Sequence, residues 1–263
     1  MGPLFLLGGV RQETFGDISR EFLAACGRAP RIALLTQGGN AWRQYAAMFE
    51  GVWASLGVGE VVPVAPETPT EAARPETLRL LDEVDGIFIS GGDTREYHRK
   101  YAQPGVAAVI RRASSAGTPV AGCSAGALIL PARCTVWGGR ASSGRGRSLL
   151  TCEHTVDQDG DGDVELLLAA GIGVVDGLVT EVECTEWGRL PRLFEAMARH
   201  RCPLGVGIDE GACLRLVEGR RAKVLGAGTV FVVLRCDEGQ GFRVRPLLSG
   251  EEVDLPLPAA PGR

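Results

Sequence analysis

Five short apolar runs, separated by turns and helical segments, constrain the fold of this chain more than any other feature. Four of them lead into glycine-containing turns and one into a proline-rich segment, and they cover residues 4–7, 31–36, 61–64, 86–90 and 119–122. Apolar residues at helical spacing lie between or after these runs, at Phe49, Val52, Trp53 and Leu56, within 106–113 and within 190–197. Short apolar strands that alternate with helices are typical of a buried parallel sheet. We therefore predict an α/β fold with a doubly wound, mostly parallel sheet.

The predicted domain organisation is a single α/β domain over residues 1–255, followed by a loose tail at 256–263. Residues 204–255 contain short strands with tight turns and are predicted to form a small C-terminal β extension at the sheet edge. Residues 138–163 are rich in Gly, Ser, Arg and Asp and are predicted to form a long polar loop. The alternating carboxylates of 157–165 leave a weak cation site open. A solvated acidic loop is favoured, because Leu168 stands where a calcium loop needs glutamate.

Composition and charge argue against several classes of protein. Lys and Arg total 28 against 32 for Asp and Glu, a net charge of −4, whereas nucleic-acid binders carry a basic face. No stretch approaches the roughly 18–20 consecutive apolar residues of a membrane span. The eight cysteines include no CxxC pair, which favours reduced thiols. We therefore predict a cytoplasmic globular protein that binds neither nucleic acid nor membranes.

Residues Gly122-Cys-Ser-Ala-Gly126 match the pattern G-x-S-x-G, directly after an apolar run and before a predicted helix. In this context a sharp strand-to-helix turn lifts the serine hydroxyl above the sheet as a nucleophile. Ser124 is therefore the candidate nucleophile, and the N–H of Ala125, at the helix N-terminus, is a candidate oxyanion donor. Gly91-Gly92 ends another strand in the same way, so the Gly92 N–H is the candidate second donor. The alternative, turns of small residues that only pack a helix onto a sheet, stays open for both.

Five motifs follow one another in an order that resembles a known family. They are Gly8-Gly9, Gly91-Gly-Asp-Thr94, Gly122-Cys-Ser-Ala-Gly-Ala127, Arg189-Leu-Pro-Arg-Leu193 and Gly205-Val-Gly-Ile-Asp-Glu210, and Pro131 fits the same pattern. Over about residues 4–234 the chain resembles the S51 serine peptidases, the group of cyanophycinase and of peptidase E, an aspartyl dipeptidase. The resemblance implies a class I glutamine amidotransferase-like fold, a homodimer and no cofactor or metal. It also implies that Ser124 cleaves a small peptide substrate next to an aspartyl or β-aspartyl residue.

The same resemblance places further residues at the site. The oxyanion is expected between the N–H groups of Gly92 and Ala125. The residues predicted for substrate binding are Asp93, Thr94, Arg189 and Arg192. Cysteine chemistry of the amidotransferase type is disfavoured, because Cys123 precedes the apex of the turn, which belongs to Ser124.

The chain departs from the family pattern where the catalytic base is expected. The family has D-x-H-F-x-x-R-x-R-x-x-R-L, and this chain reads Glu181-Val-Glu-Cys-Thr-Glu-Trp-Gly-Arg-Leu-Pro-Arg-Leu193. Glu183 therefore stands at the histidine position and Trp187 at the first arginine. Of the other histidines, His98 is a further candidate for the crevice, and His200 is expected to cap a helix C-terminus.

Three resolutions of the missing histidine are open. In the first, Glu183 is the base, with a pKa raised by a dry pocket and by the neighbouring carboxylates Glu181 and Glu186. In the second, the polar loop brings His154 to Ser124. In the third, hydrolysis is lost and the protein only binds a peptide or small molecule.

Overall fold

A computed structural model describes residues 1–39, 42–137, 166–217, 220–236 and 241–257. Its strands are β1 (Leu4–Leu7), β2 (Arg31–Leu35), β3 (Glu60–Val64), β4 (Gly86–Ile89), β5 (Val120–Cys123), β6 (Arg133–Trp137), β7 (Leu167–Ala170), β8 (Leu178–Val182), β9 (Leu204–Ile208), β10 (Ala212–Val217), β11 (Arg221–Gly226), β12 (Val230–Arg235), β13 (Phe242–Leu247) and β14 (Glu252–Asp254). Its helices are α1 (Gln12–Cys26), α2 (Trp42–Ser55), α3 (Pro69–Ala72), α4 (Pro75–Glu83), α5 (Thr94–Tyr101), α6 (Pro104–Ala116), α7 (Ala125–Ile129) and α8 (Leu190–His200).

The main sheet has eight strands in the order β14-β11-β10-β1-β5-β4-β2-β3. The five strands from β1 to β3 in this order are parallel, and β10, β11 and β14 add to the other edge in antiparallel pairs. In this register Leu7, at the end of β1, lies between Cys123 of β5 and Cys213 of β10. The predicted mostly parallel sheet is confirmed.

Helices cover both faces of this sheet, because its central strands are apolar on both sides. Leu4 and Leu6 belong to a buried cluster with side chains of α4, α5, α6 and α7. Phe5 and Leu7 point to the opposite face, where they pack with aromatic side chains of α1 and α2. There the ring of Trp53 lies 5.2 Å from that of Phe88 in β4. The period of two along β1 thus separates two cores, as a doubly wound fold requires.

The C-terminal β-rich part divides between two sheets, whereas the sequence predicted an extension at one sheet edge. Strands β10, β11 and β14 widen the main sheet, but β9, β12 and β13 join β8 in a second sheet of order β13-β12-β9-β8. Helix α8 packs against this second sheet through Leu193 and Met197, which are buried with Val179 and Val233. The physical reason is that β8 is buried on both faces and needs a parallel neighbour, which β9 supplies.

The glycines around Ser124 are required by close packing. A Cβ on Gly126 would lie 2.2 Å from the Ile89 carbonyl oxygen, and one on Gly122 would lie 2.6 Å from the backbone of Gly126. Helix α7 therefore begins in contact with the ends of β4 and β5, which places Ser124 at the carboxyl edge of the sheet.

No helix in the described ranges is both long enough and apolar enough to span a bilayer. The segment 138–163 and the tail beyond residue 257 lie outside the described residues, as does the candidate cation loop.

Candidate active site

Ser124 lies in a strained turn between β5 and α7. Its backbone has φ 48° and ψ −112°, a region that residues with a Cβ rarely adopt. Its N–H donates to the Leu7 carbonyl at 2.9 Å, which fixes the turn against β1. Beside the turn is a cavity of about 860 Å³, and Ser124 is part of its wall. The sheet thus presents a serine side chain to a ligand-sized space at the carboxyl ends of its strands.

Glu183, which follows β8, is the side chain that meets Ser124. The Ser124 hydroxyl donates to Glu183 Oε1 at 3.2 Å. Glu183 is also in the left-handed region, with φ 53°, and its N–H donates to the Ile208 carbonyl at 2.7 Å. Burial raises the pKa of Glu183, while the charge of Arg189 and the Ser124 hydrogen bond oppose the rise. Two strained residues at the ends of different strands are therefore held in contact.

Arg189 lies behind Glu183, on the side away from Ser124. Its Nη1 donates to Glu183 Oε2 at 2.7 Å, so one carboxylate oxygen contacts the arginine and the other contacts the serine. The guanidinium also lies over the ring of Trp187, 5.6 Å from its centroid. This geometry fixes the orientation of the Glu183 carboxylate. Arg189 is not among the residues that line the cavity.

Arg192 and Glu181 form a buried ion pair instead of contacting the cavity. The Arg192 Nε and Nη2 donate to the two Glu181 oxygens, each at 2.6 Å, and the side chains are 8% and 0% exposed. The predicted role of Arg192 in substrate binding is not supported by this placement, because its donors are directed into the protein interior. Burial is the first cause of the raised pKa of Glu183, and the charge of Glu181 makes a smaller contribution in the same direction.

Glu186 contacts Arg11 rather than Glu183. Its Oε1 accepts from Arg11 Nη2 at 2.8 Å and from the Glu210 N–H at 3.2 Å. The predicted carboxylate cluster therefore has a different composition. Glu210, which lines the cavity, is the acidic neighbour that raises the pKa of Glu183 most, and Glu181 follows.

The two candidate oxyanion donors lie near Ser124. Ala125 is the first residue of α7, a position whose N–H has no partner within a helix. Gly92 lines the same cavity, and none of the described residues accepts a hydrogen bond from its N–H. A Cβ on Gly91 would lie 3.2 Å from the Ser124 Cβ, so this glycine turn packs directly against the serine.

Asp93 and Thr94 form the N-terminus of helix α5. The Asp93 carboxylate caps the helix by accepting from the Arg95 N–H at 2.9 Å, and it pairs with the Arg95 guanidinium at 2.7 Å. Thr94 is the first residue of the helix. Neither residue lines the cavity, so substrate binding by them stays a prediction. Gln37 was not predicted from the sequence: its Oε1 accepts from the Asp93 N–H at 2.7 Å and holds the turn. The available signal was a polar residue two positions after β2.

The histidines that the structure describes are engaged away from Ser124. His98 Nε2 lies 2.9 Å from the Ala170 carbonyl, so His98 does not face the crevice. His200, at the end of α8, has its Nε2 3.3 Å from the Cys134 carbonyl. Burial lowers the pKa of His200, which disfavours the charged helix cap predicted for it. His154 lies outside the described residues.

Cys123 is buried beside the site, and its thiol is unreactive. Burial raises the pKa of its thiol to about 12, with smaller contributions from the charges of Glu183 and Glu210. A thiol with this pKa is almost entirely protonated at neutral pH and is a poor nucleophile. Within the described ranges, no group of three or more His, Cys, Asp and Glu side chains is placed to hold a metal ion.

Comparisons with known proteins agree with the fold and the family resemblance. The model of peptidase family S51 matches residues 4–136, just over half of the chain. The cyanophycinase of Synechococcus elongatus is 28% identical over 238 residues, which cover 88% of this chain and 68% of that protein. The cyanophycinase of Trichormus variabilis is 24% identical over 235 residues, covering 88% and 72%.

Solved structures share the fold at lower identity. The crystal structure of a peptidase from an acI-B1 Actinobacterium superposes with a TM-score of 0.71 at 17% identity, covering 97% of each chain. A putative peptidase E protein from Listeria monocytogenes superposes with a TM-score of 0.52 at 17% identity, covering 94% of this chain and 99% of that one. With the family match over most of the main sheet and Ser124 within it, this chain belongs to peptidase family S51 and is a serine peptidase.

Proposed function

We propose that this protein hydrolyses short peptides at aspartyl or β-aspartyl residues, with Ser124 as the nucleophile and Glu183 as the general base. One observation carries the proposal. Two non-glycine residues, both in the left-handed backbone region, meet through a 3.2 Å hydrogen bond at the wall of a cavity. Backbone strain of this kind costs about 1–3 kcal/mol per residue and is concentrated at functional sites. The turn at Ser124 is a nucleophile elbow in this proposal.

In the first half of the reaction, the Ser124 oxygen bonds to the carbonyl carbon of the cleaved amide, and its proton passes to Glu183 Oε1. The carbonyl oxygen becomes an oxyanion, which the N–H groups of Gly92 and Ala125 stabilise. Glu183 then delivers the proton to the amide nitrogen, and the C–N bond breaks. An amine leaves, and the acyl group remains as an ester on Ser124.

In the second half, Glu183 accepts a proton from water as the water oxygen attacks the ester carbonyl. The C–O bond to Ser124 breaks, the proton returns to Ser124 and the carboxylic acid is released. Arg189 acts as a positioning residue, because its 2.7 Å contact holds the second oxygen of Glu183 and directs the first toward Ser124. The raised pKa of Glu183 makes it a stronger base than an exposed glutamate.

The aspartyl part of the proposal is supported by the relatives. Two proteins named cyanophycinase match 88% of this chain at 24–28% identity. The family resemblance associates this architecture with cleavage next to aspartyl or β-aspartyl residues. The same proposal has the protein in the cytoplasm as a homodimer of single-domain subunits. It needs no cofactor for the reaction.

The test is hydrolysis of an aspartyl and β-aspartyl peptide library between pH 4 and 8, followed by mass spectrometry. Ser124→Ala is expected to lose activity by a factor on the order of 10⁴–10⁶. Only ionised Glu183 accepts a proton, so kcat/KM of the wild type rises with pH. The midpoint of this rise lies above the ordinary glutamate pKa, because burial raises the pKa of Glu183. Glu183→Gln is expected to remove both the activity and this pH dependence.

Glu186→Gln is the matched control, because it removes a nearby carboxylate that contacts Arg11 and the Glu210 backbone rather than Ser124. This variant is expected to keep the pH midpoint of the wild type. A midpoint at the ordinary imidazole pKa that persists in Glu183→Gln would assign the base to a histidine. Absence of turnover at every pH, with ligand binding unchanged in Ser124→Ala, would instead show a binding protein on this fold.

A further inference from the structure

The cavity beside Ser124 is largely apolar where α1 and α2 line it. Apolar side chains of the segment after β1, of α1 and of α2 line much of the space: Val10, Phe15, Ala47, Met48, Phe49 and Val52. Gln12 of α1 lies beside them. Phe15 and Phe49 are buried and form the floor, whereas Met48 is 40% exposed. An exposed methionine next to a buried aromatic floor leaves apolar surface in water, and a ligand that covers this surface gains from its burial.

The charged residues of this cavity are both acidic. Of the described residues that line it, Glu183 and Glu210 carry charge. The nearby arginines are engaged, Arg189 with Glu183 and Arg11 with Glu186. If the residue joined to the aspartyl residue were itself acidic and lay in this cavity, its side chain would be near two carboxylates, and the described lining residues include no cation. The volume of about 860 Å³ accommodates a dipeptide with a large side chain.

We propose that the cavity selects peptides in which the residue joined to the aspartyl residue has a bulky apolar side chain, such as leucine, methionine or phenylalanine. This specificity rests on the function proposed above. The apolar side chain packs on Met48 and Val52 over the aromatic floor, and the cleaved amide lies at Ser124. The side chains of α2 that line the cavity therefore select which residue is joined to the aspartyl residue of the substrate.

Gly51 offers a direct way to fill the cavity. This glycine lies on α2 and lines the cavity, and a Cβ added there would meet no atom within 4 Å. A side chain can therefore begin at this position without a clash at its Cβ, and leucine favours the helix more than glycine does. Gly16 is the matched control, because it also lies in a helix with open space at its Cβ but does not line the cavity.

The experiment measures kcat/KM for aspartyl and β-aspartyl dipeptides whose second residue is Gly, Leu, Phe, Arg or Glu. The wild type is expected to prefer Leu and Phe over Gly by about 10- to 100-fold. Gly51→Leu is expected to reduce this preference about tenfold, and Gly16→Leu to retain it. Met48→Glu is expected to reduce it as well, because a carboxylate replaces apolar surface. Far-UV circular dichroism establishes that the variants are folded.

The outcomes separate this specificity from the function on which it rests. If the wild type cleaves none of the peptides, or if cleavage persists in Ser124→Ala, the proposed function fails. If cleavage depends on Ser124 but Leu and Phe are no better than Gly, the specificity is refuted and the function stands. Fastest cleavage of the Arg peptide would also refute it, because the carboxylates and not the apolar wall would then determine the substrate. An unchanged preference for Leu and Phe over Gly in the Gly51→Leu variant would also refute the specificity.

Discussion

The buried pair of Arg192 and Glu181 permits a quantitative test of what the arginine does. Replacing Arg192 with Met removes both 2.6 Å hydrogen bonds and leaves the Glu181 carboxylate, 0% exposed, with the Val182 N–H as its remaining described donor. Removing one partner of a buried ion pair costs about 3–5 kcal/mol, because the other charge stays desolvated. We expect Arg192→Met to lower the free energy of unfolding by this amount, and Glu181→Leu to have a similar effect.

The double variant Glu181→Leu/Arg192→Met is the decisive comparison. Replacing both charges by apolar side chains removes the desolvation penalty together with the attraction, which is often neutral or stabilising. We expect its stability to lie within about 1 kcal/mol of the wild type. The coupling energy between Glu181 and Arg192, obtained from the double-mutant cycle, then amounts to several kcal/mol.

Urea unfolding followed by tryptophan fluorescence gives these free energies, since the midpoint shifts while the slope stays common to the variants. A loss below about 1 kcal/mol in Arg192→Met, or a double variant as unstable as the sum of the single ones, would refute the reasoning. Peptidase activity supplies a second readout. If the double variant is as stable as the wild type but loses kcat/KM, Arg192 contributes to substrate binding after all.

Two further predictions concern the serine turn. Ser124→Gly is expected to be more stable than Ser124→Ala by about 1 kcal/mol. Both variants lack the hydroxyl, and only glycine adopts φ 48° without strain. Equal urea midpoints of the two variants would show that the turn is unstrained. Iodoacetamide at pH 8 is expected to label the exposed Cys236 and to spare Cys123, whose burial raises its pKa to about 12. Peptide mapping locates the label, Cys236→Ser is the control, and alkylation of Cys123 in the folded protein would contradict the assignment.

The sequence by itself determined the sheet and the serine turn, because both depend on local patterns. Apolar runs at 4–7, 31–36 and 86–90 became β1, β2 and β4 with ends that differ by no more than a residue. The spacing of Gly122, Ser124 and Gly126 predicted the turn, and close packing requires both glycines. The match to family S51 confirms the resemblance that the sequence motifs indicated.

The tertiary structure alone decided which side chains meet Ser124. Glu183 was one of three open resolutions, and its contact with the serine spans 59 residues of sequence. Arg192 and Arg189 lie three residues apart, yet one pairs with a buried glutamate and the other with the carboxylate at the serine. No local pattern distinguishes them, because the direction of each side chain depends on how α8 packs on the second sheet. The apolar cavity wall has the same origin, since α2 presents the buried Phe49 and the exposed Met48 to the cavity only after it has packed on the main sheet.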